Sequence, residues 1–127
     1  MITFEYFKKV EIKIGQIISA EKVPETDKLL RLMVDFGERA ESKSPLPEGL
    51  ATSAAGRQII SGISTYFPDE KMLIGKKCAF VTNLEPRTIR GLSSNGMILA
   101  VSGESDSQEF FSLLETAQNV LPGSVVK

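Results

Sequence analysis

A chain of 127 residues, 42% apolar and 24% charged, is long enough for one globular domain with a single core and too short for two. It has no histidine and one cysteine, Cys78, which excludes imidazole acid–base chemistry, an internal disulfide and a thiolate–imidazole zinc cluster. A net charge of -1 excludes tight, indiscriminate binding to polyanions.

In chain order, Thr3 is a candidate N-cap, and Phe4, Phe7 and Val10 follow at helical spacing. A helix this short is not stable alone, so its apolar face must dock on its own barrel or on a second copy, with Lys8 and Lys9 turned away. Val10, Ile12 and Ile14 then alternate with Glu11 and Lys13 as in a half-buried strand, and the apolar residues resume at Ile17, Ile18 and Ala20. Gly15 predicts a bulge that bends this strand. After the turn-rich Val23-Pro24-Glu25-Thr26-Asp27, Leu30, Leu32, Val34 and Phe36 share one face of a second strand.

The stretch 37–56 has no periodicity and reads as a long exposed connection, and a third strand runs from Arg57 to Gly62. Pro68, Asp69 and Glu70 open a short helix that Gly75 ends. A fourth strand, Cys78 to Thr82, places Cys78 as a buried structural thiol, and Met97 to Val101 is the fifth. Phe110 to Leu114 and Leu121 to Val126 add further strands. Three strands, a helix and two strands make an all-β fold, the five-stranded Greek-key barrel called the OB-fold. The expected organisation is one domain over 1–127, with an N-terminal helix (1–9), a barrel (10–101) and a C-terminal extension (102–127). No apolar run reaches membrane-spanning length, and Met1-Ile2-Thr3-Phe4-Glu5 does not open like a signal peptide, so a cytoplasmic protein is expected.

Basic charge gathers in Lys71, Lys76, Lys77, Arg87 and Arg90, whereas the stretch after Val101 is acidic. The informative segment is Asn83 to Met97, the link between strands four and five, which flanks the ligand face of an OB-fold. Arg87 and Arg90 can pair with phosphates or stack on unpaired bases, and the same spacing also suits a solvated surface turn. Few aromatics are candidates for exposure, and Tyr66 and Phe67 read as packing beside the helix, so recognition by stacking alone is disfavoured. No residue set holds a metal or cofactor, and no catalytic group can be named.

Asn83-Leu84-Glu85-Pro86-Arg87-Thr88-Ile89-Arg90-Gly91 with Ser94, Gly96 and Met97 resembles the signature of the tRNA-binding domain family. That family includes the C-terminal appendix of methionyl-tRNA synthetases, free-standing structure-specific tRNA-binding proteins and related export chaperones. Val10 to Ile17, Pro24 to Leu29, Arg57 to Ile63 and Leu121-Pro122-Gly123 resemble its other stretches in order. The resemblance implies RNA contacts at Lys28, Asn83, Arg87, Arg90, Ser94 and Met97. Lys28 also reads as a solvated turn lysine, Asn83 as a turn cap and Met97 as a barrel-rim side chain. Glu85 and Thr88 stand where the family commonly has lysine, and the connection after Glu38 is longer than its usual one. The implied activity is non-catalytic binding of folded tRNA by backbone and shape, assisting a methionyl-tRNA synthetase in cis or trans. The implied assembly is a homodimer through Phe4, Phe7, Val10 and Leu121. The alternative is an export-chaperone-like dimer that holds peptides on the same fold.

Overall fold

The computed structural model describes residues 1–37 and 56–127, so the connection expected at 37–56 lies, apart from its end glycines, outside the described residues. The elements are α1 (Phe4–Phe7), β1 (Ile12–Lys22), β2 (Leu30–Asp35), β3 (Arg57–Ser61) and β4 (Lys77–Val81). They continue with β5 (Arg87–Ile89), β6 (Leu92–Ser94), β7 (Met97–Ile98), β8 (Ala100–Ser105) and β9 (Gln108–Leu113). A five-stranded antiparallel sheet in the order β3-β2-β1-β4-β7 curls into a nearly closed OB-type barrel. No helix among the described residues is long and apolar enough to cross a membrane.

β1 serves two neighbours. Its first half pairs with β4, from Ile12↔Val81 to Gln16↔Lys77, and its second half pairs with β2, from Gln16↔Asp35 to Lys22↔Leu30. The bend is where the sequence pattern did not place it. The register shift falls between Ile17 and Ser19, whereas Gly15 pairs regularly with Cys78. Gly15 is needed for close packing, because a Cβ there would lie 2.5 Å from Val34 Cγ1 and 2.6 Å from the Phe36 ring.

β2 alternates as expected, with Leu30, Leu32 and Val34 fully buried and Phe36 continuing the row. Ile17, Ile59, Leu73, Cys78, Phe80 and Ile98 complete the core, where the Phe80 ring meets Phe36 edge-on at 5.2 Å. Burial pushes the Cys78 thiol up to about 11, reinforced by the Glu115 carboxylate, so the sulfur stays protonated. Every residue of β4 is buried, including Lys77. The Lys77 ammonium donates to the carbonyls of Gln118 (2.7 Å) and Val120 (2.8 Å), which binds the chain after β9 to the barrel.

The helix between β3 and β4 is a pair of 3₁₀ turns, Ser64–Tyr66 and Glu70–Leu73, the second capped by the Asp69 carboxylate accepting from Lys71 N. Four residues before a Gly75 in the left-handed region leave no room for a second α turn. The fifth strand splits: β7 closes on β4, and β8 leaves with β9 as a separate ribbon. Lys8 and Lys9 are not turned away from the helix, since their ammoniums lie over the Phe4 and Tyr6 rings at 5.5 and 5.1 Å. The expected terminal strand is a short pairing along the free side of β1, with Ile14 N donating to Ser124 O and Val126 N to Ile12 O, both at 2.8 Å.

Candidate nucleic-acid interface

The link between β4 and β7 is a hairpin that the sequence pattern did not reveal. β5 and β6 pair as Arg87↔Ser94, Thr88↔Ser93 and Ile89↔Leu92, joined by the two-residue turn Arg90-Gly91. Both turn residues have positive φ, 51° and 79°, the arrangement whose twist matches an antiparallel hairpin. Glycine adopts it freely, whereas Arg90 does so against the Cβ clash that disfavours this region. The guanidinium of Arg90 thus sits at the hairpin tip, with Arg87 on the adjacent strand. Both are exposed, as are Glu85 and Thr88, and neither arginine forms an ion pair among the described residues.

The hairpin is gripped at its root by β3. Arg57, 1% exposed, donates from Nη1 to the carbonyls of Thr82 (2.8 Å) and Asn95 (3.4 Å), the residues flanking the 83–94 segment. Its guanidinium also lies over the Phe36 ring at 5.2 Å. Gln58 donates from Nε2 to Ser93 O (2.8 Å), and its carbonyl accepts from Asn95 N (2.9 Å). Ile60 N donates to Ser94 Oγ at 3.0 Å. These bonds close the barrel between β3 and the hairpin, and they hold the arginines on a framed loop.

The six residues implied by the resemblance occupy different settings. Arg87 and Arg90 share the hairpin. Asn83 is exposed, but its amide is committed: Oδ1 accepts from Glu11 N (2.8 Å) and Nδ2 donates to Lys9 O (2.6 Å), tying the link to the start of β1. Met97, on the edge pairing with Val81, is 44% exposed. Lys28 is exposed in the β1–β2 connection, where its carbonyl accepts from Ser64 N at 2.9 Å. Ser94 is 3% exposed, and its hydroxyl accepts from Ile60 N and donates to Gly96 O (3.1 Å), so it shapes the root of the hairpin.

Sequence reasoning missed Arg57, Gln58 and Arg31 as contributors. Arg31 Nε donates to Gln58 Oε1 at 2.7 Å, so a polar ladder runs from Ser93 through Gln58 to Arg31 across the outer face of β3 and β2. One signal was available for Arg57: it is in phase with inward Ile59, where a cation must have buried partners.

The sequence model of a family described as "Putative tRNA binding domain" matches residues 49–124, more than half of the chain and all of the hairpin. The chain belongs to the tRNA-binding domain family. The methionine–tRNA ligase of Porphyromonas gingivalis is 37% identical over 126 residues, 99% of this chain and 16% of the ligase. That of Methanoregula boonei is 40% identical over 128 residues, 100% of this chain and again 16% of the ligase. The chain therefore spans only a small part of the relatives it matches. Among solved structures, a MetRS-related protein from Pyrococcus horikoshii superimposes with a TM-score of 0.77 at 30% identity, covering 100% of this chain and 98% of that one. The chaperone CsaA from Bacillus anthracis matches with a TM-score of 0.68 at 23% identity, over 100% of this chain and 99% of that one, a likeness of fold. Glu85 and Thr88 are both exposed beside the two arginines, Thr88 on β5 and Glu85 in the link that precedes it.

Proposed function

We propose that this tRNA-binding domain acts without catalysis of its own, engages folded tRNA through the hairpin arginines, and assists a methionyl-tRNA synthetase in cis or in trans. It works in the cytoplasm as one module comprising the helix, the barrel and the C-terminal extension. The observation that carries this reading is the framed hairpin, which presents Arg87 and Arg90 to solvent with no carboxylate partner among the described residues. Guanidiniums in that setting read phosphates and shape, and Lys28 and Met97 supply flanking contacts. Fluorescence titration is expected to show folded tRNA binding more tightly than an unstructured RNA of equal length, with little choice among tRNA species. Restoring lysine in Glu85→Lys/Thr88→Lys should strengthen binding and steepen its salt dependence by about one log–log unit per phosphate gained. A preference for the unstructured RNA would remove this reading.

The working form we propose is a homodimer. Phe4 is 71% exposed, Phe7 41%, Val10 46% and Leu121 72%, and nothing in α1 is buried. Aromatic rings left in water on one turn favour a partner surface. Pairing would join two hairpins in one assembly, so one tRNA bound to both would gain from effective concentration. Sedimentation equilibrium at tens of micromolar is expected to give a dimer for the intact protein and a monomer for Phe4→Ser/Phe7→Ser. A monomeric intact protein would refute the pairing, and a dimeric double variant would place it on another surface. For the chaperone-like alternative, support is confined to likeness of fold.

A further inference from the structure

We propose that the β8–β9 ribbon and Tyr66 form a docking cup for an arginine side chain on a basic segment of a protein partner. The ribbon stands off the barrel. β8 is exposed throughout, and a tight turn with positive φ at Asp106 and Ser107 joins it to β9. Pairing places Ala100/Leu113, Ser102/Phe111 and Glu104/Glu109 on one face, the face turned toward the barrel. Leu113 is buried in the core, and the Phe111 ring stacks on Tyr66 at 4.0 Å and 4°, with Phe67 edge-on at 5.9 Å. These contacts hold the ribbon in place and bring Tyr66, still 46% exposed, up to its inner face.

One step further out on that face, Glu104 and Glu109 are directly opposite each other. Like charges across a strand pair destabilise it. No Lys or Arg lies between Arg90 and Lys127 in the sequence, and neither glutamate forms an ion pair among the described residues. The free protein therefore carries an uncompensated pair that a bound cation would relieve. Both glutamates line an open cavity of about 330 Å³ with Tyr66, Ser102, Gly103 and Phe110. On the other face of the ribbon the Phe110 ring lies against Gly103, where a Cβ would come within 2.5 Å of it, so the aromatic ring offered on the glutamate face is Tyr66.

The exposed Tyr66 ring beside two carboxylates suits a guanidinium, which stacks on a ring face and donates in a fork to acidic oxygens. The same charges repel a phosphate backbone, so charge complementarity selects a cationic polypeptide over RNA. This surface is chemically separate from the arginine hairpin, and the inference does not depend on how the hairpin reads tRNA.

The test is titration of the full chain with a capped hexa-arginine peptide, followed by amide NMR shifts and calorimetry, with tRNA binding measured in parallel. Saturable shifts are expected at residues 102–110 and Tyr66. Glu104→Gln/Glu109→Gln should lower peptide affinity at least tenfold and leave the ribbon folded, because it removes repulsion; tRNA affinity should hold or rise. Tyr66→Leu, which keeps an apolar contact on Phe111, should lower peptide affinity about threefold through loss of the ring face. Shifts centred elsewhere, or a Glu104→Gln/Glu109→Gln protein that binds the peptide as before, would overturn the proposal. So would an unaffected Tyr66→Leu variant, since the attraction would then be bulk charge alone.

Discussion

Replacing Arg87 and Arg90 together with alanine is expected to weaken tRNA binding about a hundredfold at moderate salt. Each guanidinium lost removes a charge-assisted contact worth about 1.5–3 kcal/mol, and each 1.4 kcal/mol is about tenfold in affinity. The slope of log affinity against log salt should also fall by about two units, one per phosphate contact. Both side chains are exposed and pair with no carboxylate among the described residues, so the fold should not register their loss. Circular dichroism and the melting temperature are the controls, and filter binding across a salt series is the measurement. An unchanged slope with an intact fold would take the hairpin out of the interface.

Arg57→Met is expected to act on stability first. It keeps much of the side-chain volume, but it strips donors from the buried carbonyls of Thr82 and Asn95 and removes the cation over Phe36. Buried acceptors left without partners cost about 1–3 kcal/mol each, so a net loss of about 3 kcal/mol is reasonable. For a chain of this size that corresponds to a melting temperature lower by about 10 °C. The loss should extend to function, because Thr82 and Asn95 flank the segment that carries the two arginines. A variant that melted within about 2 °C of the parent, or that kept full tRNA affinity, would show that this clamp does not hold the hairpin.

Much of the barrel was legible because period-two alternation reports burial directly. Leu30, Leu32, Val34 and Phe36 announced their inward face, and the structure buries all four. The parts that were not legible depend on neighbours remote in sequence. Gly15 reads as a bulge from its own strand, and only the approach of Val34 and Phe36 shows why it lacks a side chain. Met97 to Val101 reads as one strand, and the break at Leu99 follows from competition between β4 and β9 for its two ends. At the site, residue type pointed to the arginines, but the hydrogen-bond commitments of Asn83 and Ser94 could not be read from their spacing. Commitment of that kind has no periodicity. The hairpin escaped notice because its turn is Arg-Gly, where asparagine or aspartate before glycine is the usual signal.

That turn places two selective pressures in opposition at one position. Asparagine or glycine at position 90 would relax the left-handed backbone by about 1 kcal/mol, and either change would be favoured in a lineage sorted for thermal persistence alone. Arginine there is a standing handicap to folding, tolerable because β3 anchors both ends of the loop. The margin for such a residue at the tip is therefore set in the barrel wall. A lineage that weakened the wall would come under pressure to surrender the arginine.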